Sequence, residues 1–351
     1  MTFTDKLTAY INACYPALWI TTHEENRVVK EIKKNFEKPP VRGQSQCKVV
    51  EWNCVEGLFH RSADGKTVKQ YKDTTDPMKL FPTIAAEAKS MEGEDTIFIL
   101  KDFHLQFDKP LKKPDYVTAF KVIQQILKAR RCIILFIAPL VKIPNELSKD
   151  IQILDYQLPD EAAIKKKLDY VVDSTNESAA GTKGKAKLTI SEEIADLAVE
   201  AGKGLTDSEV ESAFSLAIVE NKVFDASFVR SVFSEKIAQV KKGGLLTYLE
   251  SNVSFDNVGG LEQLKQWIRT RREGFSKRAR AYGLPFPKGL GLAGIPGCGK
   301  TLTSKAVANE FGFPLFQLDL GGLFSKYVGE TEQNFINMIK TVDSIGRCVI
   351  L

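Results

Sequence analysis

The stretch of sequence that decides the fold is Gly294-Ile295-Pro296-Gly297-Cys298-Gly299-Lys300-Thr301, which satisfies every position of the phosphate-binding pattern G-x-x-x-x-G-K-[ST]. Its glycines let the backbone curl so that the N–H groups point inward at an anion, and a helix that follows adds the positive end of its dipole. No side chain could approach a phosphate so closely. The motif therefore predicts that the chain binds a nucleoside triphosphate.

Two side chains of this motif have predicted roles of their own. Lys300 is placed to reach the β and γ phosphate oxygens and is the candidate catalytic residue, and the Thr301 hydroxyl is placed to ligate the Mg²⁺ that bridges those oxygens. ATP and Mg²⁺ are therefore the expected cofactors. The predicted nucleotide-binding set consists of residues 294–301 together with Leu302, which follows the motif.

The residues on either side of the motif predict a strand that enters the loop and a helix that leaves it. Residues 289–293 form a short apolar run that is typical of a buried strand, and residues 302–311 carry Ala306, Val307 and Phe311 at helical spacing. A chance glycine-rich turn is the alternative interpretation, but it does not account for the strand and the helix. The three parts together favour a P-loop.

The composition sets broad limits. The 351 residues suggest about two domains, and a hydrophobic fraction of 43% is ordinary for a protein with full cores, whereas the net charge of +5 is too small to identify a partner. The 6 cysteines have no C-x-x-C pair or metal-ligand spacing, no signal peptide opens the chain, and the longest apolar run, at 132–141, is too short to span a bilayer. We therefore expect a soluble, intracellular protein.

The N-terminal part of the chain alternates strands with helices. Short runs rich in β-branched and aromatic residues predict strands at residues 17–21, 48–52, 96–100, 132–137 and 151–154, with segments of helical length between them. This alternation predicts an α/β fold with a parallel sheet that is covered on both faces. Thr22 and Glu25 form a capping-box pattern after the first strand, so a helix is expected where a phosphate loop would otherwise begin.

The rest of the chain predicts a linker, a helical bundle and a second module. Residues 174–187 are polar and rich in Gly and Lys, as in a flexible linker. Capping-box patterns at Thr189/Glu192 and Thr206/Glu209 predict helices over residues 190–201 and 207–221, and a third helix is predicted over residues 226–240. The predicted domains are an α/β module at 1–173, the linker at 174–187, a lid-like helical bundle at 188–242, a second linker at 243–254 and a second α/β module at 255–351.

Three motifs of the second module resemble those of the AAA family, the ATPases associated with diverse cellular activities. They are Asp256-Asn257-Val258-Gly259-Gly260-Leu261, the phosphate loop, and Phe324-Ser325-Lys326-Tyr327-Val328-Gly329-Glu330-Thr331-Glu332. Residues 269–272 and Tyr282-Gly283-Leu284-Pro285 resemble a subgroup of plastid and cyanobacterial AAA proteins known only as a hypothetical chloroplast open reading frame. The resemblance implies P-loop NTPase-type parallel sheets in two tandem modules, and a location in the cytoplasm of a cyanobacterial or virus-infected cell or in the chloroplast stroma.

The resemblance also implies roles for particular residues. Val258 and Gly259 match the stretch that contacts adenine. Tyr327, Val328 and Gly329 match the first pore loop, whose aromatic residue grips an extended polypeptide in hexameric relatives. A flat ring can stack on many side chains, which fits this role for Tyr327. The alternative is that Tyr327 packs within its own domain.

The first module resembles a degenerate copy of the same fold. Residues 97–100 lie where the Walker B strand of the family would end in two acidic residues, but the next residue is Lys101, a cation where Mg²⁺ needs a carboxylate. Because it also has no glycine loop, this module is not expected to hold ATP. Asp102 is then expected to be a structural carboxylate at the end of a strand.

The last residues of the second module match the family pattern only in part. Residues 348–351 have the character of the Walker B strand, after which the family has a metal-orienting Asp, a water-activating Glu, an arginine finger and a helical lid. A general base contributes ~10²–10⁴ to the rate and an arginine finger ~10³–10⁵. The chain as given is therefore expected to bind nucleotide, to hydrolyse it poorly, and to leave the strand at residues 289–293 with exposed backbone edges.

Cys298 stands where such loops commonly have a small hydroxylic residue. The simpler interpretation is a small side chain that merely fits, and the alternative is an oxidisable thiol at a helix N-terminus. The run before the phosphate loop is basic, which indicates either contact with nucleic acid or another acidic partner, or a solvated helix face or a surface between subunits. Its cations are Lys265, Arg269, Arg271, Arg272, Lys277, Arg278, Arg280 and Lys288.

Two functions of different classes are consistent with the sequence. The first is a mechanochemical ATPase that assembles as a homo-oligomeric ring, such as a hexamer, and uses ATP hydrolysis to move Tyr327 and remodel a protein client. The second is an ATP-binding regulatory or scaffold protein, in which the first module recruits partners and hydrolysis is slow or absent. A nucleic-acid-associated ATPase is a further alternative, and no membrane partner is expected.

Overall fold

A computed structural model describes residues 2–37, 47–62, 66–90, 95–108, 113–180, 188–242, 246–275, 277–285, 289–319, 335, 338–339, 342 and 345–351. The chain divides into two units, Met1–Leu158 and Pro159–Leu351. Each unit has hydrophobic cores of its own.

The first unit contains a large, mostly parallel sheet. Its strands are β1 (Ala17–Thr21), β2 (Cys47–Asn53), β3 (Gly57–Arg61), β4 (Thr67–Gln70), β5 (Asp95–Lys101), β6 (Ile133–Ala138) and β7 (Gln152–Asp155). They stand in the order β4-β3-β2-β5-β6-β1-β7. The pairs from β2 to β7 are parallel, which confirms the predicted α/β fold, whereas β3 and β4 extend the sheet as an antiparallel hairpin that the sequence analysis did not predict.

Helices cover both faces of this sheet. They are α1 (Phe3–Asn12), α2 (Glu25–Phe36), α3 (Pro77–Ser90), α4 (His104–Phe107) and α5 (Lys113–Ala129). Successive side chains of a strand point to opposite faces. Trp19 and Phe136 therefore pack in one core with residues of α3 and α5, while Leu18 and Leu135 pack in the other with residues of α1 and α2.

The second unit begins with a helical bundle made of α6 (Glu161–Ala180), α7 (Glu192–Gly202), α8 (Asp207–Asn221) and α9 (Ala226–Lys242). Phe214 and Phe228 stack in its core, with 6.3 Å between their ring centroids. Ile164 and Leu168 of α6 belong to the same core. Residues 174–180 of the predicted linker are the end of α6, and residues 181–187 lie outside the described residues.

Two of the predicted capping boxes are wrong and one is confirmed. The N-cap of α2 is Glu24, and the Thr22 hydroxyl accepts a hydrogen bond from the Glu24 N–H (2.9 Å) instead of capping the helix. The N-cap of α7 is Ser191, two residues after Thr189. The box of Thr206 with Glu209 is present at the start of α8. Ser is favoured over Thr as an N-cap residue, which accords with the use of Ser191 at the start of α7.

The remainder of the second unit contains the phosphate-binding motif. Its strands are β8 (Leu246–Leu249), β9 (Leu315–Leu318) and β10 (Val349–Ile350), in the order β10-β9-β8, and its helices are α10 (Glu262–Arg272), α11 (Lys277–Ala281) and α12 (Lys300–Phe311). The predicted strand at residues 289–293 is wrong. Within the part of the chain that the structure describes, no strand pairs with this segment, and Leu290 is 40% exposed. A strand needs a neighbour to satisfy its backbone N–H and C=O groups.

No helix among the described residues combines the length and the apolar character that crossing a membrane requires.

Candidate functional site

The phosphate loop leads directly into α12. Gly297 and Gly299, the N-cap of the helix, have φ angles of 83° and 88°, a region that favours glycine. The N–H and the hydroxyl of Thr303 both donate to the Gly299 carbonyl, at 2.9 and 3.0 Å, which closes the first turn. The leading N–H groups of α12 therefore lie directly behind the loop, where they can bind an anion.

Lys300 folds back onto the loop. Its Nζ donates hydrogen bonds to the carbonyl oxygens of Gly294 and Ile295, at 2.8 Å each, and lies 3.7 Å from the Sγ of Cys298. The loop is open to solvent: Ile295 is 77% exposed, and Thr301 is exposed beside it. A nucleotide can therefore reach both predicted ligands, Lys300 and Thr301, from the solvent side.

Gly294 and Cys298 are in close contact. A Cβ atom added at Gly294 would lie 2.5 Å from the Sγ of Cys298, well inside van der Waals contact. The thiol thus occupies the space that the missing side chain leaves. A side chain at position 294 would therefore have to displace the exposed Cys298 thiol from its present position.

The structure brings one predicted adenine-contacting residue against the helix that leaves the loop. Val258 is 6% exposed and packs with Ala306 and Val307 of α12. Gly259 is exposed, with open space around the position of a Cβ atom. Leu302 is exposed on the first turn of α12. The segment at 258–259 is therefore held next to α12, and its contact with adenine stays a prediction.

The predicted pore-loop residues Tyr327, Val328 and Gly329 lie outside the described residues. The role of Tyr327 in gripping a polypeptide, and the alternative that it packs within its own domain, both stay predictions.

In the first unit, Lys101 forms part of a buried ion-pair network. Its ammonium group at the end of β5 contacts one oxygen of Glu51 on β2 (2.7 Å), and Lys33 of α2 contacts the other oxygen (2.7 Å). Burial by itself would raise the pKa of Glu51, but hydrogen bonds from Lys101 and Lys33 outweigh it, and the pKa is lowered. Lys101, which stands in place of a Walker B carboxylate, thus pairs with a carboxylate of its own module.

Two carboxyl groups lie together at the same edge of that sheet. Asp102 has a φ of 52°, and its N–H donates to the Ile137 carbonyl (2.9 Å), while its carboxylate lies 3.6 Å from Nδ1 of the buried His104. Glu25, at the start of α2, has a raised pKa because it is partly buried and because it faces the charge of Asp102. Neighbouring carboxylates repel one another and would also repel a polyphosphate. That this module does not hold ATP stays a prediction.

The basic run contains two aromatic side chains that the sequence analysis did not connect with it. The Arg271 guanidinium lies over the ring of Trp267, 4.6 Å from its centroid, and Tyr282 is 75% exposed. Trp267, Arg271, Arg278 and Tyr282 are separated along the chain by four, seven and four residues. All four line an open cavity of about 1430 Å³ beside α12 and β10. The i, i+4 spacing of Trp267 and Arg271 within α10 is the signal by which the sequence could have revealed this pair.

Three protein-family models match the chain. The N-terminal domain of SpoVK-like AAA ATPases matches residues 3–156, and the second domain of SpoVK-like AAA ATPases matches residues 163–243. The ATPase family associated with various cellular activities (AAA) matches residues 290–351, which include the phosphate loop and α12.

Several proteins are similar to this chain. Two are uncharacterized AAA domain-containing proteins ycf46. The one from Trieres chinensis is 30% identical over 350 residues, covering 100% of this chain and 65% of the relative, and the one from Guillardia theta is 30% identical over 354 residues, covering 100% and 64%. A cell division cycle protein 48 homolog from Archaeoglobus fulgidus is 33% identical over 126 residues, covering 34% of this chain and 17% of the relative. The chain thus spans about two thirds of the length of the two ycf46 proteins.

Proposed function

Since this chain belongs to the AAA ATPase family, we propose that it binds Mg-ATP at residues 294–301 and that the whole protein couples ATP hydrolysis to the remodelling of a protein partner. The observation that carries the binding proposal is the geometry around Lys300. Its ammonium group lies among the loop carbonyls, 2.8 Å from two of them, in front of the N–H groups that begin α12. A cation and a helix N-terminus converge there on one solvent-exposed loop.

Each residue of the loop has a proposed part in binding. The backbone N–H groups of the loop and of the first turn of α12 hold phosphate oxygens. Lys300 exchanges the carbonyls of Gly294 and Ile295 for β and γ phosphate oxygens, and the Thr301 hydroxyl holds the metal. Bound Mg²⁺ neutralises charge on the phosphate oxygens. Val258 and Gly259 contribute to the adenine pocket.

The test is calorimetric titration of Mg-ATP into the full chain and into Lys300→Ala. A charge-assisted hydrogen bond is worth about 1.5–3 kcal/mol, so we expect the affinity of Lys300→Ala to fall by roughly 10- to 150-fold. Lys305→Ala is the matched control, because Lys305 lies on the same helix, five residues further on and outside the motif. Its affinity should stay that of the wild type. Equal heats for the wild type and Lys300→Ala would overturn the proposed site.

Hydrolysis and remodelling are proposed for the whole protein. The family supports a ring-shaped homo-oligomer, a hexamer in the simplest case, in which Tyr327 contacts an extended protein client. The cytoplasm of a cyanobacterial or virus-infected cell, or the chloroplast stroma, is the proposed location. Release of phosphate from Mg-ATP by the chain, with Lys300→Ala as the blank, measures whether these residues also turn the nucleotide over.

The first unit supports a regulatory part in this scheme. Lys101 is held by Glu51, and the carboxyl group of Glu25, at the start of α2, interacts with that of Asp102, directly after β5. We therefore propose that this unit recruits partners and does not bind ATP. Such a scaffold role is the alternative function of the chain if its turnover is slow.

The Arg271–Trp267 stack favours a second candidate, a nucleic-acid-associated ATPase. Exposed rings beside guanidinium groups form a stacking platform for single-stranded nucleic acid. Fluorescence anisotropy with a labelled 20-nucleotide oligo(dT) tests it: we expect salt-sensitive binding that Arg271→Ala combined with Arg278→Ala weakens about tenfold. Lys166→Ala, at an exposed lysine of α6, is the control. Binding that is absent, or unchanged by the double substitution, removes this candidate.

A further inference from the structure

A buried lysine joins the helical bundle to the strand β10. Lys236 on α9 is 3% exposed, and its Nζ donates a hydrogen bond to the carbonyl oxygen of Ile345, 2.7 Å away and 109 residues further along the chain. Ile345 is followed by Gly346, with a φ of 80°, and then by β10. Burial of an ammonium group is costly unless hydrogen bonds compensate it, so the carbonyl is an important partner for Lys236.

The titratable groups that act on Lys236 come from the ends of two elements. Burial is the main influence and lowers the pKa of Lys236 to about 8. Glu200 of α7 and Cys348 before β10 oppose this effect, and Lys203, just after α7, adds to it. Lys203 is itself paired with Glu161 (2.6 Å) and with Glu200. Burial also raises the pKa of the Cys348 thiol.

Apolar packing surrounds this contact. Ile345 belongs to a buried cluster with Leu246 of β8 and Phe316 of β9, and Ile237 of α9 packs against it. The strand β10 that follows is two residues long. Its hydrogen bonds to the adjacent segment at β9 include the one from the Val349 N–H to the Pro314 carbonyl (2.9 Å). So short a strand depends on contacts at its ends for a fixed position.

We propose that Lys236 is a positioning residue that holds β10 in place and so couples the helical bundle to the nucleotide site. Leu290 and Leu292, which lead into the phosphate loop, line the same cavity as Val349 and Ile350 of β10. A shift of β10 therefore changes the surroundings of the segment that enters the loop. The coupling rests on the proposed nucleotide binding, whereas the position of β10 is measurable without nucleotide.

The first experiment is amide hydrogen exchange of the full chain without nucleotide. Lys236→Met removes the ammonium group and keeps an unbranched apolar side chain. We expect exchange at Val349 and Leu351 to become about tenfold faster, as for the loss of a hydrogen bond to a charged group, and exchange in β5 to stay unchanged. Lys166→Met, at an exposed lysine of the same bundle, is the matched control. Unchanged exchange in β10 would overturn the proposal.

The second experiment distinguishes the effect of the buried Lys236 charge from the effect of packing by its side chain. The pKa of Lys236 falls from 10.5 to about 8 in the folded chain, so the unfolded chain binds more protons between these pH values, and the stability of the second unit rises with pH across that window. Lys236→Arg keeps a donor that does not titrate, so we expect it to protect β10 but to lose this pH slope. If Lys236→Met fails to fold, the wild type is compared with Lys236→Arg. An equal change of stability with pH in these two chains would contradict the proposal.

The third readout is Mg-ATP affinity. We expect Lys236→Met to weaken it by roughly threefold or more and Lys236→Arg to preserve it, since coupling through packed elements is worth about 0.5–2 kcal/mol. Different results would contradict the proposed nucleotide binding and the proposed role of Lys236. A wild-type chain that binds no Mg-ATP contradicts the proposed function, whereas normal affinity in Lys236→Met together with unchanged β10 exchange contradicts the role of Lys236.

Discussion

Three lysines of this chain have different roles because their surroundings differ. Lys300 is held at an open loop by carbonyl oxygens, which we propose that it exchanges for phosphate. Lys101 is paired with a buried carboxylate and fills a position where the family pattern has an acidic residue. Lys236 is buried against the carbonyl of Ile345, and the pKa of its amine is lowered to about 8. Only the first of these roles follows from a local motif.

We predict that protonation of Glu87 at acidic pH lowers the stability of the first unit. This residue of α3 forms ion pairs with Lys48 of β2 and Lys69 of β4, at 2.9 Å each. Burial by itself would raise the pKa of Glu87, but its hydrogen-bond donors outweigh burial and lower it to about 2. The stabilisation is therefore complete above the ordinary value of 4.5 and is lost as the pH falls from about 4.5 towards 2.

Urea unfolding of a Trp267→Phe chain measures this effect, because the remaining tryptophans, Trp19 and Trp52, both lie in the first unit. We expect Glu87→Gln to lower the free energy of unfolding at pH 6 by roughly 1–3 kcal/mol, allowing for partial screening by solvent, and to flatten the slope below pH 4.5. Glu193→Gln, at an exposed carboxylate of α7, is the control. A slope that persists in Glu87→Gln would assign the acid sensitivity to other groups.

At the scale of elements, the β3–β4 hairpin depends on one tight contact. Gly57 has a φ of 75°, and a Cβ atom there would lie 2.6 Å from the Thr74 hydroxyl and 3.2 Å from its backbone carbon. That hydroxyl accepts from the Leu58 N–H (2.7 Å), and the Thr74 carbonyl accepts from the Trp52 indole (2.6 Å). Thr74 thus joins the hairpin to β2, and the glycine makes room for it.

We predict that Gly57→Ala lowers the free energy of unfolding of the first unit by at least about 2 kcal/mol, from backbone strain and the clash with Thr74 together. Gly57→Asn separates the two causes, because Asn tolerates this φ region but also has a Cβ atom. If the clash dominates, both variants are equally unstable in the Trp267→Phe urea assay. Asp73→Ala, at an exposed residue with a φ of 60°, should cost less than either.

The same scale explains where strand predictions succeeded and failed. The strands β1, β2, β5 and β6 were predictable because each is an apolar run that is buried over most of its length in a parallel sheet. The edge strand β7 was predictable from its short apolar run, although Leu154 is its one buried residue. The exposed strand β4 has no such pattern. Residues 289–293 have the pattern but no paired neighbour among the described residues, so the apolar run alone did not make a strand.

At the scale of the whole molecule, AAA-type domains occupy most of the chain. Family models match residues 3–156, 163–243 and 290–351, and the ycf46 relatives align with 100% of it. The nucleotide motif lies in the second unit, while in the first unit Lys101 and a carboxyl pair stand at the corresponding sheet edge. The two units therefore differ in the charges that they present, and binding of a phosphate by the second unit rather than the first is our proposal.

The sequence by itself determined the phosphate loop, the α/β alternation of the first unit and the mismatch at Lys101. Eight consecutive residues build the loop from their own backbone, and apolar runs reveal buried strands, so these features need no knowledge of distant contacts. Only the tertiary structure decided the pairing of Lys101 with Glu51 and the contact of Lys236 with Ile345. These contacts join segments or faces whose approach depends on sheet register and helix packing, which no short motif encodes.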